Sequence, residues 1–293
     1  MSSPFSFIGA LLLAGMTAAP APGATLLLRY NFDEASNGNA PALDLGAGAA
    51  APGVFIGSAT RTADTPGAFS IGALDLTTAG PGTYLDGGDP VKLSGLSSFT
   101  LTAWINLQGI PSGNLRIMSK QAAGTFPGFS WNIGDPISGA RSASNFGLRL
   151  FVGGNVAFAF DPTPTGLSIN ADNVWAFLAV SYDAGGFAGN VNYYVGDAMV
   201  PAAFSSNTTI NAGSVNDSAA KFGVGYTDAA PNSDTAPPAF LDDIRVYDGV
   251  LQAEEIEAVR QENIPEPGSF GTIAAAAAWM VTRRRQKPAA FAG

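Results

Sequence analysis

The sequence contains no cysteine and no histidine. These two absences remove disulfides, thiolate nucleophiles, zinc sites built on Cys or His, and every histidine-dependent catalytic triad. Any chemistry has to rest on carboxylates, Tyr, Lys or a bound cation. Charge is also scarce. Only 13% of residues are Asp, Glu, Lys or Arg, with 14 basic against 23 acidic residues and a formal net charge of -9. Affinity for a phosphate backbone comes mainly from Lys and Arg, so this balance argues against a nucleic-acid partner and favours cationic ligands or metal ions. The basic residues are uneven as well, with Arg283, Arg284, Arg285 and Lys287 crowded at the C-terminus.

Turn formers are plentiful: 36 Gly and 20 Pro accompany an ordinary apolar content of 46%. That mixture suits short strands and many turns. From Leu26 to about Asn263 the dominant period is two. Phe99 to Leu107 places Phe99, Leu101, Ala103, Ile105 and Leu107 on one face and Thr100, Thr102, Trp104 and Asn106 on the other, the pattern of a half-buried strand. Further strands are predicted over Leu26 to Phe32, Phe129 to Ile133, Phe146 to Val152, Val156 to Phe160, Val174 to Tyr182, Val191 to Val195, Lys221 to Val224 and Phe240 to Tyr247. The one helix predicted within this segment is Ala253 to Gln261, where Ile256 and Val259 share a face and Glu254 and Glu255 sit at the positive N-terminal end. Gly46 to Pro52 reads as a brief linker or a surface loop.

The two ends read as address segments. Phe5 to Met16 is an apolar run followed by the small, Pro-rich stretch Thr17 to Ala24, as expected of an export signal over residues 1–24. At the other end, Pro265-Glu266-Pro267 precedes an Ala-rich apolar segment and then Arg283-Arg284-Arg285. This order resembles the PEP-CTERM sorting signal of Gram-negative bacteria. The resemblance implies an exosortase partner, inner-membrane contact through residues 264–293, and a final location at the cell surface or in the extracellular matrix. The triple Arg would stay on the cytoplasmic side. Gly271 to Thr282 is well under the ~20 residues that span a bilayer comfortably.

Between these ends, Leu28 to Glu34, Gly72 to Leu76 with Tyr84-Leu85, Phe99 to Ile105, Trp175 with Val180 to Asp183, and Leu241 to Tyr247 before Leu251 and Glu254-Glu255-Ile256 resemble, in order and spacing, the landmarks of laminin-G-like domains. These belong to the concanavalin A-like lectin jelly rolls. The resemblance implies an all-β, antiparallel two-sheet jelly-roll sandwich over residues 25–263, with one short C-terminal helix and terminal signal helices. It also implies that the first and last strands are neighbours, and that Asp33, Glu34, Asp242 and Asp243 can meet around a structural Ca2+. The alternative is that these acids are simply solvated or hydrogen-bonded.

Trp104 is the candidate for ligand stacking, because it points away from the strongly apolar face of its strand. If loops cover that second face, Trp104 is core instead. Trp131 and Trp175 are expected in the core. Asp242 and Asp243 are adjacent in a strand, so alternation sends them to opposite faces, where they cannot flank one glycosidic bond. No acid motif of the glucanase type occurs along any strand. The expected function is therefore an exported, non-catalytic protein binding a polysaccharide or another matrix component. The alternatives are a polysaccharide-active hydrolase or lyase on the same fold, and a purely structural surface protein.

Overall fold

The computed structural model of the protein describes residues 24–34, 40–78, 82–109, 114–121, 127–134, 147–160, 173–215, 220–225 and 236–264. The export segment and the sorting residues Pro265, Glu266, Pro267, Arg283, Arg284 and Arg285 lie outside them. Two antiparallel sheets account for the fold. One contains β1 (Thr25–Tyr30), β3 (Thr60–Thr62), β4 (Ala73–Asp75), β6 (Ser98–Leu107), β11 (Trp175–Asp183), β12 (Val191–Asp197), β13 (Ala203–Thr208) and β15 (Ala239–Asp248). The other contains β2 (Val54–Ile56), β5 (Tyr84–Asp86), β7 (Asn114–Gln121), β8 (Gly128–Gly134), β9 (Gly147–Val152), β10 (Asn155–Phe160) and β14 (Phe222–Gly225). The helix α1 (Ala253–Gln261) follows the last strand and has the predicted bounds. Among the described residues no helix is long and apolar enough to cross a membrane.

The order of the eight-stranded sheet is β13-β12-β11-β6-β15-β4-β3, with β1 also paired to β15. That of the seven-stranded sheet is β10-β9-β8-β7-β14-β5-β2. The first and last strands are therefore neighbours, as expected. Their inner faces interdigitate: Leu101, Ala103, Ile105, Leu178, Val180 and Ile244 meet Phe129, Trp131, Ile133, Leu148, Leu150 and Val224 in one continuous core. Phe99 and Phe129 join the sheets with ring centroids 5.2 Å apart. Tyr193, rooted in β12, crosses the gap to accept the Leu150 N–H at 3.1 Å and donate to the Ala157 carbonyl at 3.0 Å, so its hydroxyl is satisfied inside the core.

A sandwich has one common core, so each sheet keeps a second face that must be covered or wetted. On the eight-stranded sheet the cover is α1. Ile256 and Val259 of the helix, with Leu251, close over Trp104, Phe177, Ala179, Tyr194 and Tyr247. Burial of each such helix side chain contributes on the order of 1.5–3 kcal/mol. The helix start is held by the Gln252 N–H donating to Glu255 Oε2 at 2.8 Å, one half of a capping box. Its flank is held by Glu257 Oε2, which accepts the Ala202 N–H at 2.7 Å.

This arrangement corrects the ligand-stacking expectation for Trp104. The indole is completely buried, with its ring edge-to-face on Phe177 at 5.4 Å, because the helix occupies the space a ligand would need. Trp131 is core as expected, whereas Trp175 is only half-buried and donates its indole N–H to Asp64 at 2.8 Å. Substituting Trp104→Ala should destabilise the domain by roughly 3–5 kcal/mol, read as a lower denaturant midpoint with an unchanged slope. A loss below about 1 kcal/mol would show that the helix does not seal this face.

Candidate functional site

The four acids singled out in the sequence divide into two pairs with different partners. β15 carries a bulge: Asp242 pairs with Trp104 and Arg245 with Thr102, so Asp243 and Ile244 together oppose a single residue of β6. Asp243 has φ 47°, the left-handed conformation that lets the extra residue fit. Alternation is thereby interrupted. Asp243, Arg245 and Tyr247 all lie on the outer side while Ile244 and Val246 stay in the core, so the expectation that Asp242 and Asp243 face opposite ways is corrected.

Asp243 is held between two arginines, Arg29 at 2.8 Å and Arg245 at 2.6 Å. Both arginines also reach Glu262, just beyond α1, at 3.1 and 2.6 Å. Burial works against the Arg245 charge, yet Asp243 and Glu262 outweigh it and move its pKa upward. Glu34 is likewise committed, pairing with Arg61 at 2.8 Å and accepting the Leu43 N–H.

Asp33 and Asp242 form the second pair, and among the described residues neither meets a cationic side chain. The Ser70 hydroxyl oxygen lies 2.6 Å from Asp242 Oδ2, 3.2 Å from the Gly72 carbonyl oxygen and 3.4 Å from Asp33 Oδ1. Asp33 Oδ1 also accepts the Ile71 and Gly72 N–H groups at 2.7 and 3.2 Å. Burial, and then the Asp243 charge, push the Asp242 carboxyl well above the usual aspartate range. Two carboxylates, a hydroxyl and a carbonyl are oxygen donors of the kind Ca2+ takes, but among the described residues no group of three or more acids comes together, and Glu34 and Asp243 are neutralised by arginines.

The outer face of the seven-stranded sheet is unlike its counterpart. Its ladder partners are polar: Arg149 pairs with Asn132 and Asn132 with Arg116, while Phe151 pairs with Ser130, Ser130 with Ser119, and Ser119 with Gly223. Arg116, Ser119, Gln121, Ser130, Asn132 and Arg149 each retain at most 7% of their surface. Polar side chains outside the common core are ordinarily wet. Here they are buried, and that is the informative departure. Ser130, Ser119 and Gly223 form a floor of small residues, flanked on one side by the longer Arg149, Asn132 and Arg116. Ser130 Oγ donates to Asn132 Oδ1 at 2.5 Å and Arg116 reaches Ser119 Oγ at 3.4 Å. Gln121, next on the Ser119 face, is 4% exposed and its buried amide nitrogen has no hydrogen-bond partner. A buried donor left unmade costs about 1–3 kcal/mol unless something arrives to accept from it.

None of these trough residues was singled out from sequence. Ser130, Asn132 and Arg149 show there only as the polar half of an alternating pattern, which any solvent-facing strand displays.

Residues 79–257 match the family model described as the concanavalin A-like lectin/glucanases superfamily. Well over half of the chain is covered, and the chain belongs to that superfamily. No curated protein matches it significantly. Among solved structures, domain 4 of the extracellular arabinanase AbnA from Geobacillus stearothermophilus, in complex with arabinotriose, is similar with a TM-score of 0.51 at 17% identity, over 82% of this chain and 100% of that one. The binding domain of botulinum neurotoxin serotype G has a TM-score of 0.54 at 12% identity, over 80% of this chain and 50% of that one. The serotype D ligand-binding domain, in complex with N-acetylneuraminic acid, has a TM-score of 0.51 at 11% identity, over 81% and 50%. The chain thus spans half the length of the neurotoxin domains it matches, and at these identities the likeness is one of fold.

The Asp242 pKa shift has a measurable consequence. A folded pKa above the unfolded one means that folded Asp242 holds its proton more tightly. Stability is therefore lost as pH rises from the ordinary aspartate range, near ~4, toward the folded pKa, and no more is lost above it. With a chelator present, Asp242→Asn should become progressively more stable relative to the parent across that window, as followed by thermal melts from pH 4 to 8. A pH-independent difference would contradict the assignment.

Proposed function

We propose that this protein is an exported, non-catalytic carbohydrate-binding protein whose ligand is met by the polar row, a trough once its cover opens, on the outer face of the seven-stranded sheet. The observation that carries this reading is the buried polar row Ser130–Ser119–Gly223 with its polar flank and the unpartnered Gln121 amide nitrogen. Hydroxyl-rich ligands offer the acceptor that the Gln121 amide nitrogen lacks, and buried polar groups discriminate strongly for partners that satisfy them. The arabinanase domain bound to arabinotriose and the neurotoxin domain bound to N-acetylneuraminic acid support the ligand class, since both share this fold. The fold alone hosts lectins and hydrolases alike, so the trough has to decide. Glycoside hydrolysis by the common route needs two carboxylates about the scissile bond. Among the described residues along this row the one carboxylate is Asp86, at the β5 end, and it pairs with Lys221 at 2.7 Å. Export and sorting to the surface rest on the apolar N-terminal run and the Pro265–Arg285 signal, with an exosortase as the transient partner.

Calcium is the second element of the proposal. Asp33 and Asp242, with Ser70 and Gly72, would hold it at the junction of β4, β15 and the segment after β1. The ion would thus be structural and remote from the trough. Calcium should raise the melting temperature of the parent and leave Asp242→Asn unmoved. An equal response in both, or no response in the parent, would remove calcium from the account.

For the ligand, Gln121→Met is the informative change, because it deletes a buried amide nitrogen that has no partner in the free protein. Stability should hold or rise slightly, while affinity for a binding oligosaccharide, found on a glycan array and measured by calorimetry, should fall roughly tenfold or more. Retained affinity would move the site elsewhere.

A further inference from the structure

The outer face of the eight-stranded sheet has a second cover beside α1. The segment 63–72, which joins β3 to β4, reaches across it: Asp64 accepts the Trp175 indole N–H, and Gly67 lies so close to Asn263 that a Cβ there would sit 2.2 Å from its carbonyl oxygen. Ile264 packs on the same apolar cluster as Ala24 and Leu26, so both ends of the domain rest on this side of the sandwich. The tip of the segment is tied down. The Thr65 hydroxyl lies 3.2 Å from the Gly67 carbonyl oxygen and 3.1 Å from that of Ser70, and the Ser70 N–H donates to the Gly67 carbonyl at 3.3 Å. Ser70 is drawn inward to Asp242, and its neighbours Phe69 and Ile71 are turned out, 60% and 66% exposed. An aromatic and an aliphatic side chain held together in water on a fixed tip are unlike single apolar residues scattered over a surface.

What lies opposite this tip follows from where the chain goes next. Beyond Ile264 the sequence runs through Pro265-Glu266-Pro267 to the apolar segment Gly271 to Thr282 and then to Arg283-Arg284-Arg285. Gly271 is seven residues on from Ile264, at most about 25 Å of chain, so a bilayer that receives the apolar segment is within reach of Phe69 and Ile71. That segment is too short to span comfortably. One weak anchor holds a protein only reversibly at a membrane, and firm attachment takes a second contact. Electrostatics do not provide it here. Arg29 and Arg245 are paired with Asp243 and Glu262, and Arg61 with Glu34, while Asp64 adds a further acid. The contact this surface offers is therefore apolar, suited to a neutral lipid interface rather than to anionic headgroups.

We infer that the tip Phe69–Ser70–Ile71 is a membrane-contact surface, which enters the interface of a neutral bilayer and holds the domain with the outer face of its eight-stranded sheet toward the lipid. This rests on the proposed membrane contact of the C-terminal segment and adds to it a share for the folded domain itself. It also fixes an orientation. The two outer faces of a sandwich point in opposite directions, so the polar row of the seven-stranded sheet is turned away from the bilayer.

The absence of cysteine allows single reporters to be placed on the full chain. Ala68→Cys, beside the tip, and Ala188→Cys, in the turn beyond the end of β11 remote from Trp175, are both exposed and each carry an environment-sensitive fluorophore. With phosphatidylcholine vesicles the label at position 68 should shift to the blue and the label at position 188 should not, and high salt should leave the shift in place. Phe69→Ser combined with Ile71→Ser should abolish the shift and lower the vesicle partition coefficient, read by flotation, roughly tenfold or more. Both residues are exposed, and an unchanged melting temperature confirms that this variant folds. A chain that floats with the vesicles without a shift at position 68 overturns the tip contact and leaves that of the C-terminal segment standing. A shift that survives the double substitution overturns the assignment to Phe69 and Ile71. A shift that needs no vesicles and grows with protein concentration overturns the membrane in favour of a second copy of the chain. A chain that does not float at all overturns both membrane contacts together.

Discussion

Every strand in a packed sheet has two faces, and a sandwich offers only one shared interior. The solution adopted for each remaining face governs the rest of this protein. On the eight-stranded sheet the outer side is apolar at Trp104, Phe177, Tyr194 and Tyr247, and it is sealed by the helix that follows the last strand. On the seven-stranded sheet the outer side is a row of Ser, Asn, Arg and Gly. The asymmetry separates duties: one outer face adds a second apolar cluster, and the other is left with chemistry that a second core would not need.

The strand that joins these arrangements is β15. It pairs with β6 on one side and with both β1 and β4 on the other, so the chain's beginning and end meet on it. The bulge at Asp243 falls where β4 gives way to β1, and it delivers two consecutive acids to the side away from the core. One is neutralised by Arg29 and Arg245, which also bind Glu262 and so tie the exit of α1 to the first strand. The other is left beside Ser70 and Asp33, and burial, then the neighbouring Asp243 charge, make its carboxyl hold its proton firmly. Buried ion networks of this sort contribute little net stability, but removing one partner leaves an uncompensated charge. The junction is therefore intolerant of single changes, whether or not an ion occupies its oxygen-rich half.

Membership of the concanavalin A-like superfamily does not by itself choose between binding and catalysis, since one architecture carries both. Trp104, the aromatic side chain singled out for stacking, is closed inside the second apolar cluster, and the outer row of the seven-stranded sheet is polar and buried, with the Gln121 amide nitrogen left unmet.

Much of the architecture was legible in the residues alone. Alternation located β6, β8, β9, β10, β11, β12, β14 and β15 to within a residue or two, because burial of one face imprints a period of two. The helix α1 showed its first-turn acids Glu254 and Glu255 and its Ile256–Val259 stripe. The strands not foreseen as runs, such as β7 and β13, carry bulges in their pairing that break the period locally. Four acids near the first and last strands were expected to meet, yet only the bulge decided that Asp242 and Asp243 share a side, and only the surrounding arginines decided which two pair with cations. In the same way Trp104 and Ser130 look alike to a linear reading, each on the second face of a strand. A single strand records which residues alternate. What covers each face, and which side chains meet across five or six strands, is set by long-range packing that no local pattern encodes.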